Sequence, residues 1–322
     1  MKRKELAICD KEQDYTLRFA EYANGHREPL FTVHGFTSLE ELIEDEKERP
    51  ADILLLSQAM LDEVQKNELA GQIICLTEEE YQEEELECPM IYKYQSCPQI
   101  LRKAFSIYAE RVPQSLGAAV KLGSLRRIGI FSPLGRVGKT SLALALGREL
   151  TKQKRTLYLN MEEFSGFPAL YPHEEGFTLS ELMYFLKQGK KAFACKLESI
   201  VRQIGGLDYL PPVRSPLELW DIQGEDWARL LAALEKESRY EFLLMDLGSS
   251  VKGLFELLEA CDKIYMPLTR DETAQGKLKQ YEDTLELLGL EELSARTEKL
   301  FLTDITELEA YAKAEGRRWA GE

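Results

Sequence analysis

The sequence predicts an α/β protein built from two parallel-sheet, three-layer domains in tandem. Three observations carry this. Short apolar, β-rich runs alternate with amphipathic helical stretches, the pattern of parallel strands joined by crossover helices. Residues 110–126 interrupt that alternation with Pro113, Gly117 and Gly123, which mark a joint. At 322 residues the chain is long enough for two domains that each bury a core. The expected organisation is one domain over residues 1–110, a linker over 111–125 and a second domain over 126–322.

In the first module the elements run in order LAICD, a helical DYTLRFAEYANGH, PLFTVHGF, a helical SLEELIEDEKE, ADILLLSQ, a short helical MLDEVQKNE, GQIICLTEE, MIYKYQS and a helical CPQILRKAFSIYAE. Five strands interleaved with helices give one parallel sheet covered on both faces. The module is acidic: residues 1–110 hold 24 acidic and 12 basic side chains, a balance of −12, whereas the remainder carries −3 of the total −15. Such a surface repels phosphate backbones and anionic lipid, so no nucleic-acid partner is expected. The acidic run over residues 77–87 reads as a solvated face. The six cysteines form no C-x-x-C pair and read as reduced, buried thiols; the three histidines are scattered and support no zinc site. No apolar run approaches a membrane span and the N-terminus lacks a secretory core, so a cytoplasmic location is expected.

The five-strand pattern resembles a response-regulator receiver domain, which implies a flavodoxin-like fold. The resemblance puts Asp10 at the acidic position after the first strand, preceded by Cys9 where a second acid is usual. It puts Ser57 at the phosphoacceptor position, Thr77 at the hydroxyl position and Lys93 at the lysine position. A serine there cannot take phosphate by the receiver route, and one fewer carboxylate weakens magnesium binding. The resemblance therefore implies a degenerate receiver used for docking or dimerisation.

The second module carries the chemistry. Residues 128–141 read IGIFSPLGRVGKTS: an apolar strand, a loop containing Gly135, Arg136, Val137 and Gly138, and Lys139, Thr140 and Ser141 at the start of the helix LALALGRELTKQ. This order suits a nucleotide phosphate, because loop N–H groups and the positive end of the helix converge on an anion. Lys139 would reach the outer phosphates and Thr140 would hold Mg2+. Pro133 stands where the strict G-x-x-x-x-G-K-[ST] pattern has glycine. Next comes the strand TLYLN, with Asn160, Glu162 and Glu163 at its carboxyl end, where ligands bind in open α/β sheets. The strand in YEFLLMDLGSS ends in Asp246, expected as an acidic partner of the metal, and Gly248 follows as a backbone donor to the outer phosphate. CDKIYMPLT and the helix ETAQGKLKQYEDTLELLG continue the winding. Asp226 reads as a helix N-cap, and Trp220 and Trp227 as packing residues. Pro211 and Pro212 read as a turn after a strand end. Arg317, Arg318 and Trp319 hint at a basic amphipathic helix, but its apolar face is thin and glutamates precede it. A frayed terminal helix with at most weak peripheral membrane contact is expected.

The phosphate loop, the acids after the second strand, the apolar strand ending in Asp246 and MPLTRDET before a helix together resemble the MinD/ParA family of deviant Walker ATPases over residues 126–290. The receiver-like module in front narrows the resemblance to the TadZ/CpaE group, which places the Flp (tad) pilus assembly machinery; NMEEFSGF, DYLPPVRSP, MDLGSS and CDKIYMPL look like its clostridial branch. The resemblance implies ATP and Mg2+ as ligands, a homodimer that sandwiches two nucleotides, and protein partners in a pilus or secretion apparatus. Glu162 and Asp246 take the catalytic carboxylate positions, with Asn160 where the family has its first carboxylate. Leu134 occupies the position of the signature lysine that crosses to the partner subunit's phosphates, and Arg136 that of the second glycine. Losing that lysine removes charge stabilisation from the transition state. Nucleotide binding with slow or absent hydrolysis is the expectation. The alternatives are a scaffold that keeps only the fold, or a partitioning ATPase acting on DNA. The tail after Gly289 shows no clear match to an adenine-binding segment.

Overall fold

A computed structural model describes residues 4–25, 29–61, 64, 69, 71–79, 88–111, 124–171, 176–301 and 304–321. Most of the expected linker, most of the acidic run over 77–87, most of the short helix expected over 60–68, and His26 and His173 lie outside the described residues. The chain forms two compact units, Met1–Gly117 with Ala194–Ser199, and Ala118–Phe193 with Ile200–Glu322.

The first unit runs β1 (Lys4–Cys9), α1 (Gln13–Asn24), β2 (Phe31–Phe36), α2 (Leu39–Glu48), β3 (Ile53–Ser57), α3 (Gln58–Leu61), β4 (Gln72–Thr77), β5 (Met90–Tyr92) and α4 (Cys97–Arg111). Its five strands are ordered β2-β1-β3-β4-β5 and every pairing is parallel. This is a doubly wound order whose crevice opens where the winding reverses, beyond β1 and β3. Alternation along the strands explains why these runs are apolar throughout. Ala7, Cys9, Leu54 and Leu56 pack with Leu42 of α2 and Met60 of α3. The intervening Leu6, Ile8, Ile53 and Leu55 are buried as well, as a sheet covered on both faces requires.

The chain continues with β6 (Arg126–Ile130), α5 (Lys139–Leu150), β7 (Thr156–Met161), α6 (Phe167–Leu170), α7 (Leu179–Lys187), α8 (Phe193–Ile200), β8 (Arg202–Ile204), β9 (Leu207–Leu210), α9 (Pro216–Asp221), α10 (Gly224–Glu237), β10 (Phe242–Leu247), α11 (Leu254–Glu259), β11 (Lys263–Pro267), α12 (Glu272–Leu288), α13 (Glu292–Arg296), β12 (Thr297–Leu300) and α14 (Ile305–Ala320), all of the second unit except α8, whose Ala194–Ser199 belong to the first. The sheet order is β12-β11-β6-β10-β7-β9-β8, parallel except for the β8–β9 pair. That hairpin turns on Gly205 and Gly206, whose φ values of 56° and 89° suit the tight turns matched to strand twist. The core around α5 joins Ile128, Ile130, Leu142, Leu146, Tyr158, Leu244 and Tyr265 to Leu308 and Ala312 of α14.

Three sequence expectations need correction here. The terminal segment is not frayed: α14 packs along α5, and Glu315 is only 5% exposed. Its carboxylate accepts from the Tyr265 hydroxyl at 2.6 Å, and the Trp319 indole donates to the same hydroxyl at 2.9 Å. The thin apolar face suffices because α5 presents an equally close surface: a methyl added at Gly316 would come within 2.6 Å of Glu149 Cβ. Asp226 sits at the third helical position of α10 rather than at its N-cap, Gln223, and accepts that residue's backbone N–H at 3.0 Å. Burial pushes its carboxyl up, but the Gln223 N–H and then the charges of Lys187 and Arg229 hold it below the usual range. Trp227 is core, whereas Trp220 is 42% exposed and so only partly covered. The cysteines are thiols, four of them buried. Among the described residues no helix is long and apolar enough to cross a membrane.

Candidate functional site

Strands β6, β10 and β7 lie side by side in the second unit, so the loop after β6 and the acids ending β10 and β7 emerge at one edge of the sheet. Asp246 and Asn160 are register partners, which fixes their side chains next to each other. The loop is exposed at Gly135 and Arg136, and Gly138 closes it as the N-cap of α5 in the left-handed region, φ 82°. A β-carbon at Gly138 would be strained whatever the space around it. Among the described residues, no hydrogen bond occupies the N–H groups of Gly135, Arg136, Val137, Gly138 or Lys139. A cradle of open amides at a helix N-terminus is what an anion needs.

Arg136 also stands in the left-handed region, φ 61°, where a side chain is unfavourable by roughly 1–2 kcal/mol. The loop thus takes a glycine-type backbone at a residue that is not glycine. Leu134 is 6% exposed and its N–H donates to Ser132 Oγ at 3.2 Å. Leu134 is therefore part of the interior of this fold.

Around Asp246 the side chains form a closed hydrogen-bond set. Its Oδ2 accepts from the Thr140 hydroxyl at 2.6 Å, the Tyr158 hydroxyl at 2.9 Å and Asn160 Nδ2 at 3.3 Å. Asn160 also donates to Tyr158 at 2.8 Å, and its Oδ1 accepts the backbone N–H of Glu162 at 3.1 Å. Asp246 is fully buried, and its Oδ1 has no hydrogen-bond partner among the described residues. Burial raises its carboxyl to about 6; the hydroxyl of Thr140 lowers it, the like charge of Glu162 raises it, and Lys139 and Tyr158 lower it again. Tyr158 is held well above its ordinary value, first by burial and then by the Asp246 charge. The Lys139 ammonium lies 2.5 Å from Glu162 Oε1 and donates to the Leu247 carbonyl at 3.2 Å. Glu163 accepts the Ser250 N–H at 3.1 Å, which ties the end of β7 to the segment after β10.

The structure therefore brings Lys139, Thr140, Glu162 and Asp246 together, with Gly135, Arg136, Val137 and Gly138 lining the loop and Ser141 exposed in the first turn of α5. The Gly248 N–H donates to the Met161 carbonyl at 3.2 Å instead of facing the loop. Glycine is needed there because a β-carbon would meet that carbonyl at 2.6 Å. Tyr158 went unread in the sequence, since a tyrosine inside an apolar strand looks like ordinary core.

The donor set fits a magnesium nucleotide. Thr140 gives its proton to Asp246, which leaves the lone pairs of Oγ1 for a cation, and Lys139 already holds a carboxylate oxygen where a phosphate oxygen would lie. Among the described residues no three His, Cys, Asp or Glu side chains converge on a metal site. A divalent ion would rely on Thr140, phosphate oxygens and water. One strand away, a cleft of about 330 Å³ opens beyond β11 and β12, lined by Leu268, Thr269, Arg270, Gln275 and Phe301. The Arg270 guanidinium lies 5.2 Å from the Phe301 ring centroid.

In the first unit, Ser57 ends β3 with its hydroxyl buried and without a hydrogen-bond partner among the described residues. Lys93, 2% exposed, pairs with Asp10 at 2.7 Å and with Glu12 at 2.8 Å. Thr77 accepts the Glu79 N–H at 3.1 Å.

No protein-family model matches the sequence, and no curated protein sequence matches it. Among solved structures, the chain is similar to a plasmid partition protein from Borrelia burgdorferi B31 bound to AMPPNP, at 16% identity and a TM-score of 0.43, covering 62% of this chain and 100% of that one. It is similar to cobyrinic acid a,c-diamide synthase from Mycobacterium smegmatis with bound ADP and magnesium, at 16% identity and a TM-score of 0.44, covering 61% and 96%. The septum site-determining protein MinD from Pyrococcus horikoshii, complexed with Mg-ADP, matches at 16% identity and a TM-score of 0.40, covering 52% and 67%.

Proposed function

We propose that the second unit binds ATP with Mg2+ and serves as a nucleotide-dependent switch in positioning or assembling a pilus or secretion apparatus, with hydrolysis slow or absent. The observation that carries the nucleotide reading is the meeting of open loop amides, Lys139, Thr140 and Asp246 at the N-terminus of α5. In that role the loop and Lys139 hold the phosphates, and Thr140, backed by Asp246, holds the metal. The cleft bearing Arg270 and Phe301 takes the base, with an aromatic face and a cation at its wall. Slow turnover follows from Leu134: a buried leucine supplies no charge to a neighbouring subunit's phosphates. A homodimer would have to be held by other contacts, such as Arg136.

The assembly role rests on the sequence resemblance and on the first unit. Its parallel order and the Asp10–Lys93 pair suit a receiver-like module, and Ser57 removes the phosphoacceptor. We assign it docking of protein partners without phosphotransfer. Labelled-ATP binding tests the nucleotide reading: Lys139→Ala should lose most of the affinity, and equal affinities would overturn it. Mg-ATP should also raise the melting midpoint of the wild type, as any ligand of the folded state does. A scaffold without nucleotide is the second reading, favoured by Lys139 already having an anionic partner in Glu162.

A further inference from the structure

We infer that Glu162 is an internal competitor for the nucleotide's phosphate, a built-in anion that sets how tightly the site binds. This rests on the nucleotide reading and goes beyond it. Glu162 holds the Lys139 ammonium at 2.5 Å, so its carboxylate takes one of the three donors and neutralises the charge that a phosphate would meet. The pair is sheltered, with side chains 10% and 24% exposed, so water screens it little. Its geometry is built in. Asn160 Oδ1 accepts the Glu162 N–H, and Asn160 is itself anchored to Tyr158 and Asp246, so the backbone that presents the carboxylate is fixed from two strands. Lys139 is fixed from the other side by the Leu247 carbonyl at 3.2 Å.

A phosphate group arriving at the loop therefore meets a lysine whose charge is already shared with Glu162, and that carboxylate repels it. Glu162 thus acts as a positioning residue that parks the lysine, and its effect should be confined to ligands that carry the phosphates Lys139 would meet.

The test compares wild type, Glu162→Gln and Lys139→Ala, full-length, by calorimetric titration with magnesium and a non-hydrolysable ATP analogue, and with adenosine as the phosphate-free probe. Glu162→Gln should bind the analogue about tenfold more tightly, the scale of one charge-assisted hydrogen bond no longer contested. Its affinity for adenosine should be unchanged. A merely structural role for Glu162 would weaken both ligands. Unchanged or weaker analogue binding by Glu162→Gln, with Lys139→Ala still losing affinity, overturns the competitor and leaves the site standing. Wild-type affinity in Lys139→Ala overturns the nucleotide reading itself.

Discussion

Replacing Tyr158 with phenylalanine isolates the hydrogen-bond set behind the phosphate loop. The substitution keeps the ring in its place among Phe167 and Tyr209 and leaves no large cavity. It removes one hydroxyl that donates to Asp246 Oδ2 at 2.9 Å and accepts from Asn160 at 2.8 Å. Thr140 still donates to Asp246, so one hydrogen bond to a buried charge is lost, worth about 1.5–3 kcal/mol. Urea denaturation at pH 7.5, followed by tryptophan fluorescence, reads the right unit, because Trp220, Trp227 and Trp319 all lie in the second one. The midpoint should fall with the slope unchanged. In an Asp246→Asn background the same change should cost less, since the charged acceptor is gone. A loss under about 0.5 kcal/mol, or an equal loss in both backgrounds, would refute the claim that the hydroxyl works through the Asp246 carboxylate.

Three further outcomes follow from the same geometry. Asp246 titrates near 6 folded against 3.8 ordinarily, so the folded state holds the proton more tightly and this residue's contribution to stability falls as pH rises from about 4 to 6. The full loss is about 3 kcal/mol; denaturation at several pH values should show it in the wild type and a flatter profile in Asp246→Asn. Gly248→Ala should destabilise by about 1–3 kcal/mol, because the new methyl meets a backbone carbonyl that cannot move aside; an unshifted melting midpoint would contradict this. Trp319→Ala should cost about 2–4 kcal/mol by removing its edge contact with Phe242 and its bond to Tyr265; wild-type stability would mean α14 is not docked.

Much of the fold was legible because its strands are apolar runs buried on both faces: LAICD, ILLL, IICL, TLYLN and FLLMDL announce themselves by period and length. The pieces that escaped are short or polar. RQI and TEKL form the edge strands β8 and β12, where one side is open and polar residues are tolerated, so no apolar run betrays them; LDYL, four residues between β7 and β8, showed only as the strand end before Pro211. The docking of α14 was hidden for a different reason: Glu315 is polar in sequence and interior only because Tyr265, fifty positions upstream, supplies a hydroxyl. In the site, loop, lysine, threonine and aspartate could be read from spacing alone. That Lys139 reaches Glu162, and that the Gly248 amide is taken by Met161, depends on the offset between β7 and β10, which no spacing within one segment records.

The pairing of α5 with α14 also carries a timing consequence for biosynthesis. The anion loop and its helix leave the ribosome long before residues 305–320 exist, so α5 waits with one flank bare until the partner arrives. Domains generally fold as units, and contacts so far apart in sequence close late. A nascent second unit would hold the loop sequence without the rigid helix that aims it, and ribosome-stalled chains ending before residue 305 should retain little of the mature affinity for nucleotide. Arrival of α14, and not emergence of the motif, would then mark the moment the site becomes competent.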